Sequence, residues 1–307
     1  LPEPVSEVLR QLFPRTGQLP LLQLEPTEAR AGIRRPFNAG VLLSGGQAPG
    51  GHNVIAAVYD ALKAHHAASR LYGFLMGPGG LLKHQFIELH KDLIDRYRNS
   101  GGFDMIGSDR TKIERVEDFE KVITIARRLD LSALIIIGGD DSATNAALLA
   151  EYCAEQGEKL CVVGCPKTID GDLKTRYIET SFGFDTCAKV YSELVGNIQR
   201  DCYSAKKYWH FIKLMGRSAS HLTLECALQT QPTMAIISEE VQAKGLTLDD
   251  IVQAIADTVV ARYDSGYPFG VVLLPEGLIE FVPRMKRLIG ELNTVLREQE
   301  KNILIVK

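Results

Sequence analysis

From residue 39 onward the chain alternates two patterns: short unbroken apolar runs, and longer stretches in which apolar residues recur every three or four positions. The runs AGVLLS (39–44), LYGFLM (71–76), ALIIIG (133–138) and KLCVVG (159–164) have the length and composition of buried strands. Between them, 52–69, 115–129 and 143–156 carry helical periodicity. Strand, helix, strand in this rhythm predicts a parallel sheet covered on both faces. A second set follows, with a helix around 185–201, strand 209–215, helix 218–229, strand 234–238, helix 247–263 and strand 270–275. Thr247 followed by Asp249 and Asp250 marks an N-cap with first-turn acids. The chain therefore reads as two α/β lobes divided near 180, spanning 38–180 and 181–307. Before them lies an N-terminal extension, 1–37, with one short helical pattern in VSEVLRQLF.

Parallel sheets bind ligands beyond the carboxyl ends of their strands, so the segments that follow each run are where function is expected. They are SGGQAPGGHN (44–53), GGDDS (138–142), GCPKTIDGD (164–172), MGRSAS (215–220) and PEG (275–277), all rich in glycine, charge or both. The first places Gly45, Gly46, Gly50 and Gly51 between a strand and a helix, where backbone N–H groups can approach an anion. It is neither a Walker A loop nor GxGxxG, and a plain tight turn explains it equally well in isolation.

In GGDDS, one aspartate can cap the helix while the other is solvated. Two adjacent carboxylates nevertheless disfavour each other's ionised form unless a cation or basic group lies near. Mg²⁺, held through one or two carboxylates with water and phosphate oxygens completing its shell, fits that requirement. PKTIDGD gathers Lys167, Thr168, Asp170 and Asp172: a carboxylate that can deprotonate a hydroxyl, and an ammonium that can neutralise a transferring phosphoryl group. Arg217 at a strand-to-helix junction can hold a sugar or phosphate, although a lone loop arginine is more often an exposed ion-pair partner. Glu276 can accept from sugar hydroxyls or merely cap a turn. Lys206 and Lys207 sit at the far end of the strand whose tip carries Arg217, so a neighbouring subunit is one way to bring them to a substrate.

Composition changes this picture little. With 45% hydrophobic and 24% charged residues and a net charge of -3, nothing points to nucleic acid or a membrane surface, and an acidic substrate must meet local basic residues. No apolar run is long enough to span a bilayer, and the start lacks the features of a signal peptide, so a soluble cytoplasmic protein is expected. The six cysteines form no CxxC pair and are expected as reduced, small core residues. The chain opens without methionine, as a processed start or a fragment would.

Taken in order, SGGQAPGGHN, GGDDS, PKTIDGD, MGR and PEG resemble the phosphofructokinase family, in particular its diphosphate-dependent, long-form branch. The ordered set, over roughly 38–290, is far more specific than any one motif. GGFDMIGS, SFGFDT and RSASHLTLECALQT look like the same branch. The resemblance implies two Rossmann-like, three-layer lobes with mainly parallel sheets and an active site in the cleft between them. It also implies Mg²⁺-dependent, reversible phosphoryl transfer from diphosphate to the 1-hydroxyl of fructose 6-phosphate, in a homodimer or higher homo-oligomer with shared sites.

By matching position, Gly46 and Arg110 would contact the donor, Asp140 would serve the metal, and Asp170 would be the proton acceptor. Thr168, Ile169, Asp172, Met215, Gly216, Arg217 and Glu276 would hold the sugar phosphate, while Lys207 and Tyr208 would reach a partner's site. ATP-using members carry glycine in place of Asp141 and of Lys167, which leaves room for the α-phosphate. Here Asp141 would exclude that phosphate by bulk and charge, and Lys167 would stabilise the shorter donor. The family's segment that grips the 6-phosphate, and the strands that complete its first lobe, lie beyond EKNILIVK. Alternatives are an ATP-dependent member, a non-catalytic regulatory relative, or a NAD or lipid kinase with a similar GGD loop; the last gives no reason for PKTIDGD and MGR.

Overall fold

The computed structural model describes residues 7–19, 35–174 and 178–305. They fall into two compact units, 1–168 and 169–307, so that 169–180 belong with the second. In chain order the first contains α1 (Glu7–Leu12), β1 (Asn38–Ser44), α2 (Gly51–His65), β2 (Arg70–Phe74), α3 (Gly77–Leu82), β3 (Phe86–Glu88), α4 (Lys91–Tyr97), β4 (Ser108–Asp109), α5 (Val116–Arg128), β5 (Leu131–Gly138), α6 (Asp140–Glu155) and β6 (Cys161–Pro166). The second contains α7 (Phe184–Ala205), β7 (Trp209–Leu214), α8 (His221–Thr230), β8 (Met234–Ala235), α9 (Ser238–Lys244), α10 (Leu248–Asp264), β9 (Gly270–Pro275), α11 (Leu278–Phe281) and α12 (Pro283–Ile305).

The first sheet runs β3-β2-β1-β5-β6, with β4 added alongside β1. It is parallel except for β3, which returns antiparallel on β2. Leu42, Phe74, Leu134 and Ile136 of its strands are buried against Phe119, Val122, Ile123 and Ala126 of α5 and Leu149 and Cys153 of α6. The α5 residues recur at helical spacing, so a single stripe faces the sheet and leaves Arg127 and Arg128 to solvent. In the second unit, β7-β9-β8 is wholly parallel, and Leu214, Val271 and Leu273 pack on Val195, Cys202 and Cys226 of α7 and α8.

Several elements depart from the sequence pattern. Helix α6 begins at Asp140, not 143, because extended Gly139 serves as its N-cap and two acids favour its positive end. The strand expected over 234–238 is cut to Met234–Ala235, and the chain turns into α9 at Ser238. The extension carries α1 within VSEVLRQLF; its residues 1–6 and 20–34 lie outside the described part. Residues 15 and 16 are tied to α6 by buried Glu151, whose carboxylate accepts from the N–H groups of Arg15 and Thr16, both at 2.8 Å, and from the Thr16 hydroxyl at 2.6 Å. Burial alone would raise that acid's pKa, but these hydrogen bonds hold it below the ordinary glutamate value.

All six cysteines are free thiols. Cys153, Cys202 and Cys226 are core residues as expected, whereas Cys161 is exposed on strand β6 at the sheet's edge. Among the described residues no helix is long and apolar enough to cross a membrane.

Candidate active site

Sheet register places three loops of the first unit side by side. Leu43 pairs with Ile137 and Gly138 with Pro166, so the chain leaves β1, β5 and β6 at one level, into Gly45–Gly46, Gly139–Asp141 and Lys167–Thr168. Ser44 pairs with Asp109 on the other side of β1, which brings Arg110 to the same tip. Gly45, at φ +85, donates its N–H to the Asp109 carbonyl at 2.9 Å, and a Cβ on Gly46 would come 3.5 Å from an Arg110 guanidinium nitrogen. The Asp109 side chain turns elsewhere: its carboxylate accepts from the Gly79 N–H and from Thr111, both by main-chain N–H and by hydroxyl.

Lys167 joins the loops. Its N–H donates to the Gly138 carbonyl at 2.8 Å, extending the β5–β6 ladder, and its ammonium donates to the Gly46 carbonyl at 2.6 Å. The side chain is buried, 7% exposed, with Nζ 5.7 Å from the centre of the Phe103 ring. A cation is thus fixed within the glycine loop at the end of β1. Ser142, bonded through Oγ to Ser44 Oγ at 2.7 Å, pins the start of α6 to β1. Asp140 and Asp141 occupy the first turn of α6, exposed, and neither carboxylate has a hydrogen bond or ion pair among the described residues.

In the second unit, the backbone joins the MGR and PEG segments. Leu214 pairs with Pro275, the Glu276 N–H donates to the Leu214 carbonyl at 2.8 Å, and the Gly277 N–H to Gly216 at 3.0 Å. A Cβ on Gly277 would lie 1.8 Å from the Arg217 carbonyl, so only glycine allows this approach. Asp170 sits within the same group. Its pKa is raised above the ordinary aspartate value, first by burial and then by the Asp172 carboxylate, with Glu276 adding to the effect; the Arg217 N–H and guanidinium oppose it. Asp170, Asp172, Arg217 and Glu276 therefore share one electrostatic environment, as the loop positions suggested.

Helices also contribute residues that the loop analysis missed. The ring Nδ1 of His221, first residue of α8, lies 2.8 Å from the Gly171 carbonyl, and as a donor it fixes the turn between Asp170 and Asp172. On α7, Cys187 and Tyr191 lie within range of the Asp170 charge, and burial pushes the Tyr191 hydroxyl up to about 12. These positions read as ordinary members of amphipathic helices, and His221 alone, directly after MGRSAS, offered a signal.

Gly171 has φ +72, and a Cβ there would meet the Phe184 ring at 3.0 Å and His221 Nδ1 at 3.2 Å. Gly266, at φ +82, has open space around it. Gly266→Ala should therefore cost only backbone strain, on the order of 1 kcal/mol. Gly171→Ala should lower the melting temperature further and speed amide exchange over 169–173. Equal effects of the two substitutions, measured by calorimetry and exchange, would show that the His221 and Phe184 contacts impose nothing on this turn.

Fold and loops together define a class: the chain belongs to the phosphofructokinase family, whose sequence pattern it matches over residues 38–304. The pyrophosphate--fructose 6-phosphate 1-phosphotransferase of Porphyromonas gingivalis is 61% identical over 302 residues, 98% of this chain and 55% of that protein. The protein of the same name from Treponema pallidum is 56% identical over 305 residues, 96% of this chain and 53% of that one. This chain thus spans about half the length of the curated relatives it matches. Among solved structures, a pyrophosphate-dependent phosphofructokinase from Marinobacter aquaeolei superposes with a TM-score of 0.66 at 21% identity, over 83% of this chain and 65% of that one, which establishes the shared fold.

Proposed function

We propose that the protein transfers a phosphoryl group reversibly from diphosphate to the 1-hydroxyl of fructose 6-phosphate, giving fructose 1,6-bisphosphate and phosphate. The observation that carries this reading is buried Lys167, locked to the Gly46 carbonyl at the tip where the glycine loop and the α6 acids emerge. A fixed cation within a glycine-rich loop suits a short, highly charged donor. The names of the relatives that match nearly the whole chain support it.

In this mechanism, Gly46 and Arg110 bind the donor, and Lys167 neutralises charge on the transferring group. Mg²⁺, when bound, would neutralise phosphate oxygens. Asp140 would hold it, since its carboxylate has no competing partner among the described residues and a hard cation is content with one protein carboxylate. No cluster of three protein ligands occurs among the described residues, which suits an ion completed by water and phosphate. On the acceptor side, Thr168, Ile169, Asp172, Met215, Gly216, Arg217 and Glu276 hold the sugar phosphate. Asp170 takes the proton from the 1-hydroxyl as its oxygen attacks the terminal phosphorus, and phosphate leaves.

The donor and acceptor sets run directly into one another in the sequence, Lys167 and Thr168 preceding Ile169 to Asp172. Lys207 and Tyr208 serve a neighbouring copy in a homodimer or higher homo-oligomer. The exposed turn that bears them follows the left-handed cap of α7 at Lys206 and holds Tyr208 at φ +76, a backbone conformation that side chains rarely adopt. Free thiols support a reducing, cytoplasmic setting.

Phosphorus NMR on full-length protein with diphosphate, Mg²⁺ and fructose 6-phosphate should show the bisphosphate and inorganic phosphate growing together, and a chelator should stop the reaction. Absence of transfer from diphosphate under conditions in which ATP supports it would overturn the reading.

A further inference from the structure

His52 is 1% exposed, lies in the first turn of α2, and has no part in the mechanism above. Three of its atoms hold one short segment. Its main-chain N–H donates to the Gly102 carbonyl at 3.2 Å, ring Nε2 accepts from the Met105 N–H at 3.0 Å, and ring Nδ1 lies 3.0 Å from Ser100 Oγ. The roles are mutually consistent. Met105 can only donate, so Nε2 is unprotonated and Nδ1 carries the proton, which goes to Ser100 Oγ; that hydroxyl in turn donates to the Tyr97 carbonyl at 2.6 Å. The Tyr97 ring packs edge-on at 4.8 Å.

Between the two main-chain anchors, Gly102 and Met105, stands Phe103, itself 3% exposed. A Cβ on Gly51 would lie 2.3 Å from its ring, so the ring is pressed against the start of α2 where only glycine leaves room. Its π system lies near the Lys167 ammonium, at 5.7 Å from Nζ to the ring centre, within the range of a cation–π attraction.

We infer that His52 is a positioning residue for the Lys167 ammonium, acting through the segment Ser100–Met105 and the Phe103 ring. Its consequence for catalysis rests on the donor role proposed for Lys167. Geometry supplies the argument, and electrostatics agree with it: burial lowers the His52 pKa and keeps the ring neutral, while exposed Asp104, 3.3 Å from Nε2, pulls the other way. Protonation would remove the acceptor for Met105 and turn Nε2 toward Asp104. The neutral ring therefore contributes stability that is fully present above the ordinary histidine pKa and is lost as the pH falls below it.

The test uses full-length protein and two variants. His52→Phe keeps the ring's bulk and removes both ring nitrogens, while His52→Gln keeps an acceptor near the Nε2 position. Brief amine labelling followed by mass spectrometry reads the accessibility of Lys167 directly, whatever the enzyme's activity. We expect labelling of Lys167 to rise about tenfold in His52→Phe and to stay within about twofold of wild type in His52→Gln, as local opening of a buried segment would give. Lys63, at the other end of α2, should be unchanged. If His52→Phe does not fold, Phe103→Leu, which leaves the His52 hydrogen bonds in place, should raise Lys167 labelling in its stead. Unchanged Lys167 labelling in the folded variants, or a rise shared equally by Lys63, would overturn the inference. A kinetic arm reads the consequence: in His52→Phe the KM for diphosphate should rise about fivefold, the loss of roughly 1 kcal/mol of cation–π attraction, with the KM for fructose 6-phosphate unmoved. Wild-type protein inert toward diphosphate would defeat the donor reading and leave the labelling result to decide the positioning role.

Discussion

Replacing Asp170 by serine should lower kcat by roughly two or more orders of magnitude, with a modest change in apparent sugar affinity, because it would remove the proposed proton acceptor while leaving the residues proposed to hold the sugar phosphate unchanged. The structure adds a second expectation. Burial, and then the Asp172 carboxylate, raise the Asp170 pKa, so the fold disfavours the ionised acid. For a raised carboxylate the unfolded chain binds fewer protons than the native one between the two pKa values, so stability falls as the pH rises through that window. Asp170→Ser should therefore melt at a higher temperature than the wild type at neutral pH while turning over far more slowly. In the wild type, activity should fall on the acid side around this raised value, since Asp170 would have to be ionised to act as the proposed base. A serine variant that keeps most of its turnover would transfer the role to Asp172 or another group.

Changing Asp141 to glycine should make ATP measurably usable, preserve the Mg²⁺ requirement and reduce the use of diphosphate. Asp141 is exposed at the second position of α6 and bonds to none of the described residues through its carboxylate, so removing it disturbs little besides the helix end. Loss of a first-turn acid and introduction of a helical glycine should together cost on the order of 1 kcal/mol of stability. Adding Lys167→Gly should lower diphosphate turnover again, and the two effects should not simply add, since both groups would act on one ligand. By contrast, Asp140→Ala should damage transfer from either donor, because the Mg²⁺ that Asp140 is proposed to hold would neutralise charge with both.

These expectations rest on loops that the sequence made legible for a physical reason. Buried parallel strands are uniform apolar runs, so the polar residues after them stand out, and the register of β1, β5 and β6 then brings Gly46, Asp140 and Lys167 to one level. Between 76 and 109 the pattern carries little signal. Helix α3 is spelled GPGGLL, which reads as a turn; its glycines serve close packing, a Cβ on Gly80 falling 1.6 Å from the Leu75 carbonyl. β3 is three residues long and β4 two, too short for any periodicity.

GGDDS carries no apolar spacing that would reveal where α6 begins, although helix ends tolerate and favour such acids. His52 and His221 act on backbone about fifty residues away along the chain, and no local pattern encodes a contact of that separation. The Asp109 carboxylate, next to Arg110 in the chain, is engaged by Gly79 and Thr111, contacts that no local pattern announces.

Asp141 and Lys167 are proposed to make this a diphosphate-using member of its family. The most direct test of that role is the ratio of kcat/KM for diphosphate to that for ATP, each with saturating fructose 6-phosphate and Mg²⁺, in full-length wild-type protein and in Asp141→Gly. The wild-type ratio should lie far above unity and fall sharply in the variant. A wild-type ratio below unity, or one unchanged by the substitution, would contradict that role.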